Sequence, residues 1–271
     1  MLRAVGIASV IDFEAEQYLL RVEGIDAAQA LRHLRLYETE TRRAPPQPAP
    51  PQPYPNAISG CLIYALVLLI VGYAVANGLW RLDAFELGEL NAGRVQSGQW
   101  WRAWTALTLH LDGAHLASNL AAGVWFGYLA ARQIGNGIAW LLIVSGAALA
   151  NLIEALLGPA THRAVGASTA VFTALGLLAA HAWRTRFHLP QRWALRWAPL
   201  VGGAVLLGWL GTAGEGTDIV AHALGFVVGA VLGAGVALPK FERALRRVPQ
   251  WLPGVAALGS IAIAWACALS S

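Results

Sequence analysis

The chain has 271 residues, 57% of them hydrophobic and only 13% charged, with twelve Trp and a formal net charge of +4. Water-soluble globular domains rarely show that balance, so the composition indicates a membrane protein. The basic excess lies in short loops, where it orients spans, and it is not read as a nucleic-acid site.

In chain order, the first 41 residues are the less hydrophobic piece. Within "EQYLLRVEGIDAAQALRHLRLYETET" the pattern alternates as a strand through Tyr18 to Val22. Asp26 then offers a helix N-cap ahead of Ala27, Ala30, Leu31, Leu34 and Tyr37 at helical spacing. Residues 1–41 therefore read as a small soluble α/β module on the cytoplasmic face. Residues 42–57 read as a Pro-rich linker, in which "APPQPAPPQPYP" (44–55) behaves as an extended polyproline spacer. No cleavable signal peptide is visible in residues 1–57, so the first span acts as its own insertion signal.

Residues 58–271 read as an all-α polytopic membrane domain. Stretches long enough to cross the hydrocarbon core fall near 58–79, 115–131, 135–157, 168–184, 195–213, 219–238 and 252–269. Cys61 and Cys267 lie inside spans and read as free thiols packed like small hydrophobes. The basic residues Arg184, Arg186, Arg192 and Arg196, and Lys240, Arg243, Arg246 and Arg247, mark cytoplasmic loops, while the loop before the sixth span carries only Glu215 and Asp218. With Arg42 and Arg43 before the first span, the amino terminus is expected inside and Ser271 outside.

Polar residues within spans are costly and mark function. His115 and Asn119, four apart, share a helical face at the outer end of the second span; Ser168 opens the fourth, and His222 lies about a turn into the sixth. This topology brings a nucleophile, a candidate base and candidate anion stabilisers to similar depth. Gly166 and Ala167 leave the approaching backbone bare, and Ser168 sits where helix-start N–H groups and the positive dipole end suit a developing oxyanion. His222, Gly225, Gly229 and Gly233 lie near one face, so the sixth helix is expected to approach a neighbour closely and bring the imidazole within reach of a serine on it. Asp218, four residues before His222, suits either a helix cap or the third member of a triad, with capping favoured because the carboxylate stands at the aqueous boundary.

At this point the chain resembles the rhomboid intramembrane serine proteases, through "GQWWRAWTALTLHLDGAHLASNL", "VGASTAVFTALG" and "DIVAHALGFVVG" between about Gly98 and Gly233. The resemblance implies a rhomboid-like bundle of six core transmembrane helices plus a C-terminal seventh carrying Trp265 and Cys267. It implies Ser168 as nucleophile and His222 as general base of a dyad, with His115, Asn119 and Gly166 at the oxyanion, Phe172 packing on the catalytic imidazole, and Trp101 and Arg102 structural in the first outer loop. Two departures stand out: Thr169 where Gly is commoner after the nucleophile, and Ala131 where a loop-supporting Glu is expected.

The implied function is endoproteolysis of transmembrane protein substrates near the outer face of a lipid bilayer, in a bacterial inner membrane. No cofactor or metal is implied, since the histidines lack a His-Glu-x-x-His pattern. Nucleic acid is excluded as a partner, and a homo-oligomer stays open. The alternative is a catalytically inactive rhomboid-like scaffold for membrane-protein quality control, although such relatives usually lack the Ser or the His. A transporter would explain His115 and Asn119 but not their coincidence with Ser168 and His222.

Overall fold

The structure, a computed structural model, describes residues 2–14, 17–43, 53–79, 83–186, 193–212 and 217–271. The polyproline tract up to residue 52, Arg192 and Glu215, and the side chains of Arg42 and Arg43, on which the spacer and topology expectations rest, lie outside it. The chain divides into two compact units, Met1–Gln52 and Pro53–Ser271.

In the first unit, strands β1 (Ser9–Glu14) and β2 (Gln17–Val22) form an antiparallel hairpin in which Ser9 faces Val22. Helix α1 (Ala27–Arg43) follows, and Leu2, Ile7 and Ala30 make a small core with Val22 packed against it. Strand β1 is an element the sequence pattern does not predict. Asp26 is also not the extended cap expected: it ends a 3₁₀ turn, Gly24–Asp26, that runs directly into α1.

The second unit is a helical bundle. Its elements are α2 (Ile58–Ala76), α3 (Ala84–Gly88), β3 (Leu90–Asn91), α4 (Ala92–Gln96), α5 (Arg102–Thr105), α6 (Gly113–Ile134), α7 (Asn136–Leu157), β4 (Arg163–Ala164), α8 (Ser168–Arg186), α9 (Trp193–Leu210), α10 (Ile219–Val236), α11 (Pro239–Leu245) and α12 (Trp251–Ser270). Five of these helices, α2, α7, α9, α10 and α12, are long and apolar enough to cross a membrane. At 1.5 Å per residue each matches the ~30 Å hydrocarbon thickness. Helices α6 and α8 have the length but carry His115, Asn119 and Arg132, and His181, Arg184 and Arg186, respectively. Helix α6 buries one face, from Asn119 to Ile134, and exposes the other, while α8 is enclosed by its neighbours. From Thr169 to His181 every residue of α8 is buried.

Helix α8 is the hub. Glycines on α10 bring it against α8 at backbone distance: a Cβ on Gly229 or Gly233 would overlap the carbonyl oxygen of Thr173 or Leu177. One on Gly225 would lie 2.7 Å from the Thr169 carbonyl oxygen. Gly176 of α8 returns the contact against Phe226. Such small-residue faces allow helices to pack where lipid offers no hydrophobic driving force between them.

The connection from α2 to α6 folds into short pieces tied down by polar bonds. Strands β3 and β4 pair antiparallel, which lashes this connection to the chain just before Ser168. From α7, the Asn151 side chain donates to the Ala103 carbonyl at 3.0 Å. From α12, Trp265 Nε1 donates to Thr108 Oγ1 at 3.1 Å, and its ring fills the space a Cβ on Gly88 would need. These contacts answer how the connection is held with Ala131, fully buried in α6, standing where a supporting Glu is expected.

Candidate active site

An open cleft of about 1420 Å³ enters the second unit at the end of the bundle where α8 and α10 begin. Ser168, His115, Asn119, Phe172 and His222 all line it. The sequence-predicted residues from three separate helices thus share one cavity.

Ser168 is positioned by what precedes it. Gly166 has φ 131°, a left-handed backbone that favours glycine. A Cβ there would also lie 2.8 Å from the His115 ring. The turn is pinned on both sides: the Gly166 N–H donates to the Ala106 carbonyl at 2.9 Å, and the Ala167 N–H donates to His110 Nε2 at 3.3 Å. Because the Gly166 N–H points at Ala106, Gly166 contributes room for the His115 imidazole in this conformation rather than a donor to the cleft. Ser168 itself remains half-buried, at the positive end of the α8 dipole.

His110 is a residue the sequence reading passes over, although it stands only five positions before His115. Its Nε2 accepts a bond, so its proton sits on Nδ1. Burial, and secondarily the neighbouring His115, push its pKa down to about 4. The two rings meet edge to face with centroids 5.1 Å apart. His115 starts α6, where its backbone N–H is capped by Asp112 Oδ1 at 2.7 Å. Asn119 Nδ2 donates to the His115 carbonyl at 3.0 Å, which leaves its second N–H for another acceptor.

His222 is 6% exposed and held from two sides. Phe172, one turn after Ser168, lies against it with ring centroids 4.4 Å apart. Its Nδ1 sits 2.9 Å from the Gly211 carbonyl oxygen, just past α9. A carbonyl can only accept, so Nδ1 carries the proton and Nε2 keeps its lone pair. That is the tautomer a general base needs. Gly211 thereby supplies from the backbone what a carboxylate supplies in a triad.

Asp218 is turned elsewhere. Its Oδ1 caps α10 by accepting from the Ala221 N–H at 3.0 Å, and its Oδ2 lies 3.2 Å from His162 Nε2. The capping expectation is met, and the triad geometry is absent. No direct Ser168–His222 hydrogen bond is present among the described residues; catalytic contacts in an unliganded site are commonly long and tighten when substrate binds.

Arg102 is 2% exposed and its guanidinium organises the α2–α6 connection: Nε donates to Gln99 Oε1 (2.6 Å), and the terminal nitrogens donate to the carbonyls of Glu89 (2.9 Å) and Glu86 (2.8 Å). Trp101 stands at the start of α5, where its carbonyl accepts from the Thr105 N–H at 3.1 Å. Thr169 is buried against Gly225, so the methyl that departs from the commoner glycine is absorbed by the α8–α10 contact.

Comparison with known proteins bears on this geometry. The family model for the rhomboid domain matches residues 97–238, which contain all of the cleft residues discussed above. The rhomboid protease GluP of Bacillus subtilis (strain 168) is 32% identical over 84 residues, covering 31% of this chain and 16% of that relative's length. The chain thus aligns with a small part of that protein.

Proposed function

The chain belongs to the rhomboid family and is an integral membrane protein, and from that premise we propose that it is an intramembrane serine endopeptidase working through a Ser168–His222 dyad. The observation that carries this reading is the fixed tautomer of His222: with Nδ1 bonded to Gly211 and Phe172 against the ring, Nε2 is the free basic nitrogen in the cleft that Ser168 also lines.

In the proposed reaction His222 Nε2 takes the Ser168 hydroxyl proton as Oγ attacks a substrate carbonyl. The carbonyl oxygen, becoming anionic, is met by His115, the spare Asn119 N–H and the helix start at Ser168. His222 then returns its proton to the leaving amine, and water repeats the sequence on the acyl-enzyme. The substrate is a transmembrane segment of another membrane protein. It must unwind locally, because an intact helix hides its carbonyls in internal hydrogen bonds. The openness of the cleft supports access for an extended strand. We further read the enzyme as lying in a bacterial inner membrane with its amino terminus in the cytoplasm, and residues 1–41 as a separate cytoplasmic module.

The test is cleavage of a model transmembrane substrate by purified protein. Ser168→Ala and His222→Ala are each expected to lose on the order of 10⁴-fold or more in turnover at unchanged melting temperature. Near wild-type cleavage by either variant rules the dyad out.

A further inference from the structure

At the same end of the bundle, three ligand-type side chains converge from three elements: Glu154 in the last turn of α7, His162 just before β4, and Asp218 at the start of α10. Their ligand atoms all lie within 4.8 Å of one another. His162 Nε2 is 3.6 Å from Glu154 Oε1 and 3.2 Å from Asp218 Oδ2. Glu154 is 5% exposed, and its Oε2 is buried without a hydrogen-bonding partner, as are His162 Nε2 and Asp218 Oδ2.

Three lone-pair-bearing atoms facing one another need something to share, either a proton or a metal ion. A buried carboxylate is tolerated when it is paired or coordinates a metal. An N–H on His162 could serve one oxygen at most, and it is aligned with neither. The nearby cation Arg163 is directed to Glu89 Oε1, 2.8 Å away.

We propose that Glu154, His162 and Asp218 bind a divalent first-row metal ion, of which zinc is the best fit. One imidazole and two carboxylates are a borderline donor set that suits zinc better than calcium or magnesium. With metal–ligand bonds of about 2.0–2.2 Å, tetrahedral ligands stand roughly 3.3–3.6 Å apart, close to the 3.6 and 3.2 Å that separate His162 Nε2 from the two carboxylates. The two carboxylates neutralise the ion, and the one remaining position opens to water from the cleft that these residues line. The site is preorganised: His162 is held through its N–H to the Pro159 carbonyl and its carbonyl to the Ala92 N–H, and Asp218 can coordinate through Oδ2 while Oδ1 keeps its cap. The ion takes no part in hydrolysis. It ties α7 to the turn that leads into Ser168 and to the start of the helix that carries His222, so it braces the site from outside.

The test uses full-length protein in detergent, stripped with EDTA and titrated with zinc chloride, with bound metal counted by mass spectrometry and melting temperature followed. Wild type is expected to hold one zinc per chain and to melt at higher temperature as zinc is added. Glu154→Gln, which preserves volume, and His162→Ala are each expected to lose more than about tenfold in zinc affinity. Equal affinity in both variants, or no stoichiometric zinc on wild type because the cluster shares a proton instead, overturns the proposal. Neither readout requires proteolysis, so a failure of the protease reading leaves this test intact.

Discussion

The α8–α10 interface and the α2–α6 connection flank the same cleft but are held together by opposite means. Between α8 and α10 the contact is backbone against backbone, with Gly225, Gly229 and Gly233 laid onto the carbonyls of Thr169, Thr173 and Leu177. The connection instead hangs on discrete polar bonds from Arg102, Asn151, Thr105 and Trp265, most of them to backbone carbonyls. The first arrangement fails by adding an atom, the second by removing one. The proposed catalytic pair, Ser168 and His222, is divided across the first, so its spacing depends on the absence of side chains.

Breaking the glycine contact should have the largest effect. A branched side chain in Gly229→Val cannot coexist with the Thr173 carbonyl, and the helices must part; a loss of more than about 3 kcal/mol in unfolding free energy is expected, together with activity. Stability in mild detergent measures the first and substrate cleavage the second. Removing a tether should cost less: Arg102→Ala leaves the part-buried Glu89 carbonyl without its charged donor, while the Glu86 carbonyl keeps its bond from Arg94, for about 1–3 kcal/mol. Limited proteolysis should then cut first within residues 83–112.

The smallest effect sharpens the comparison through pH. His110 bonds the turn before Ser168, and its folded pKa of about 4 lies below the ordinary histidine value. The neutral form is therefore the one the fold prefers. The stabilisation is complete above about pH 6.5 and is lost as pH falls toward 4, at a cost on the order of 2 kcal/mol by pH 5. Melting temperature against pH should show this slope in wild type and a shallower one in His110→Gln.

These two regions also differ in how far the sequence exposes them. The long helices, and the glycine face of α10, are legible because length and helical period leave a direct trace in composition. The α2–α6 connection is not: α3, α4 and α5 have four or five residues each, and β3 has two, too short for any period. Within the site, Ser168, His222, His115 and Asn119 can be found because they are polar groups where lipid disfavours them. The partner that orients His222 could not be, since the carbonyl of Gly211 has no side chain to announce it. Glu154, His162 and Asp218 escape for another reason, as three elements bring them together from places that share no spacing motif.

The most direct measurement is labelling of the solubilised protein with a fluorophosphonate, followed by mass spectrometric mapping of the adduct. Only a serine whose proton can be taken should react at an appreciable rate. The dyad requires a single adduct on Ser168, lost in Ser168→Ala and strongly slowed in His222→Ala. An adduct elsewhere, or labelling of Ser168 that is indifferent to His222, would contradict it.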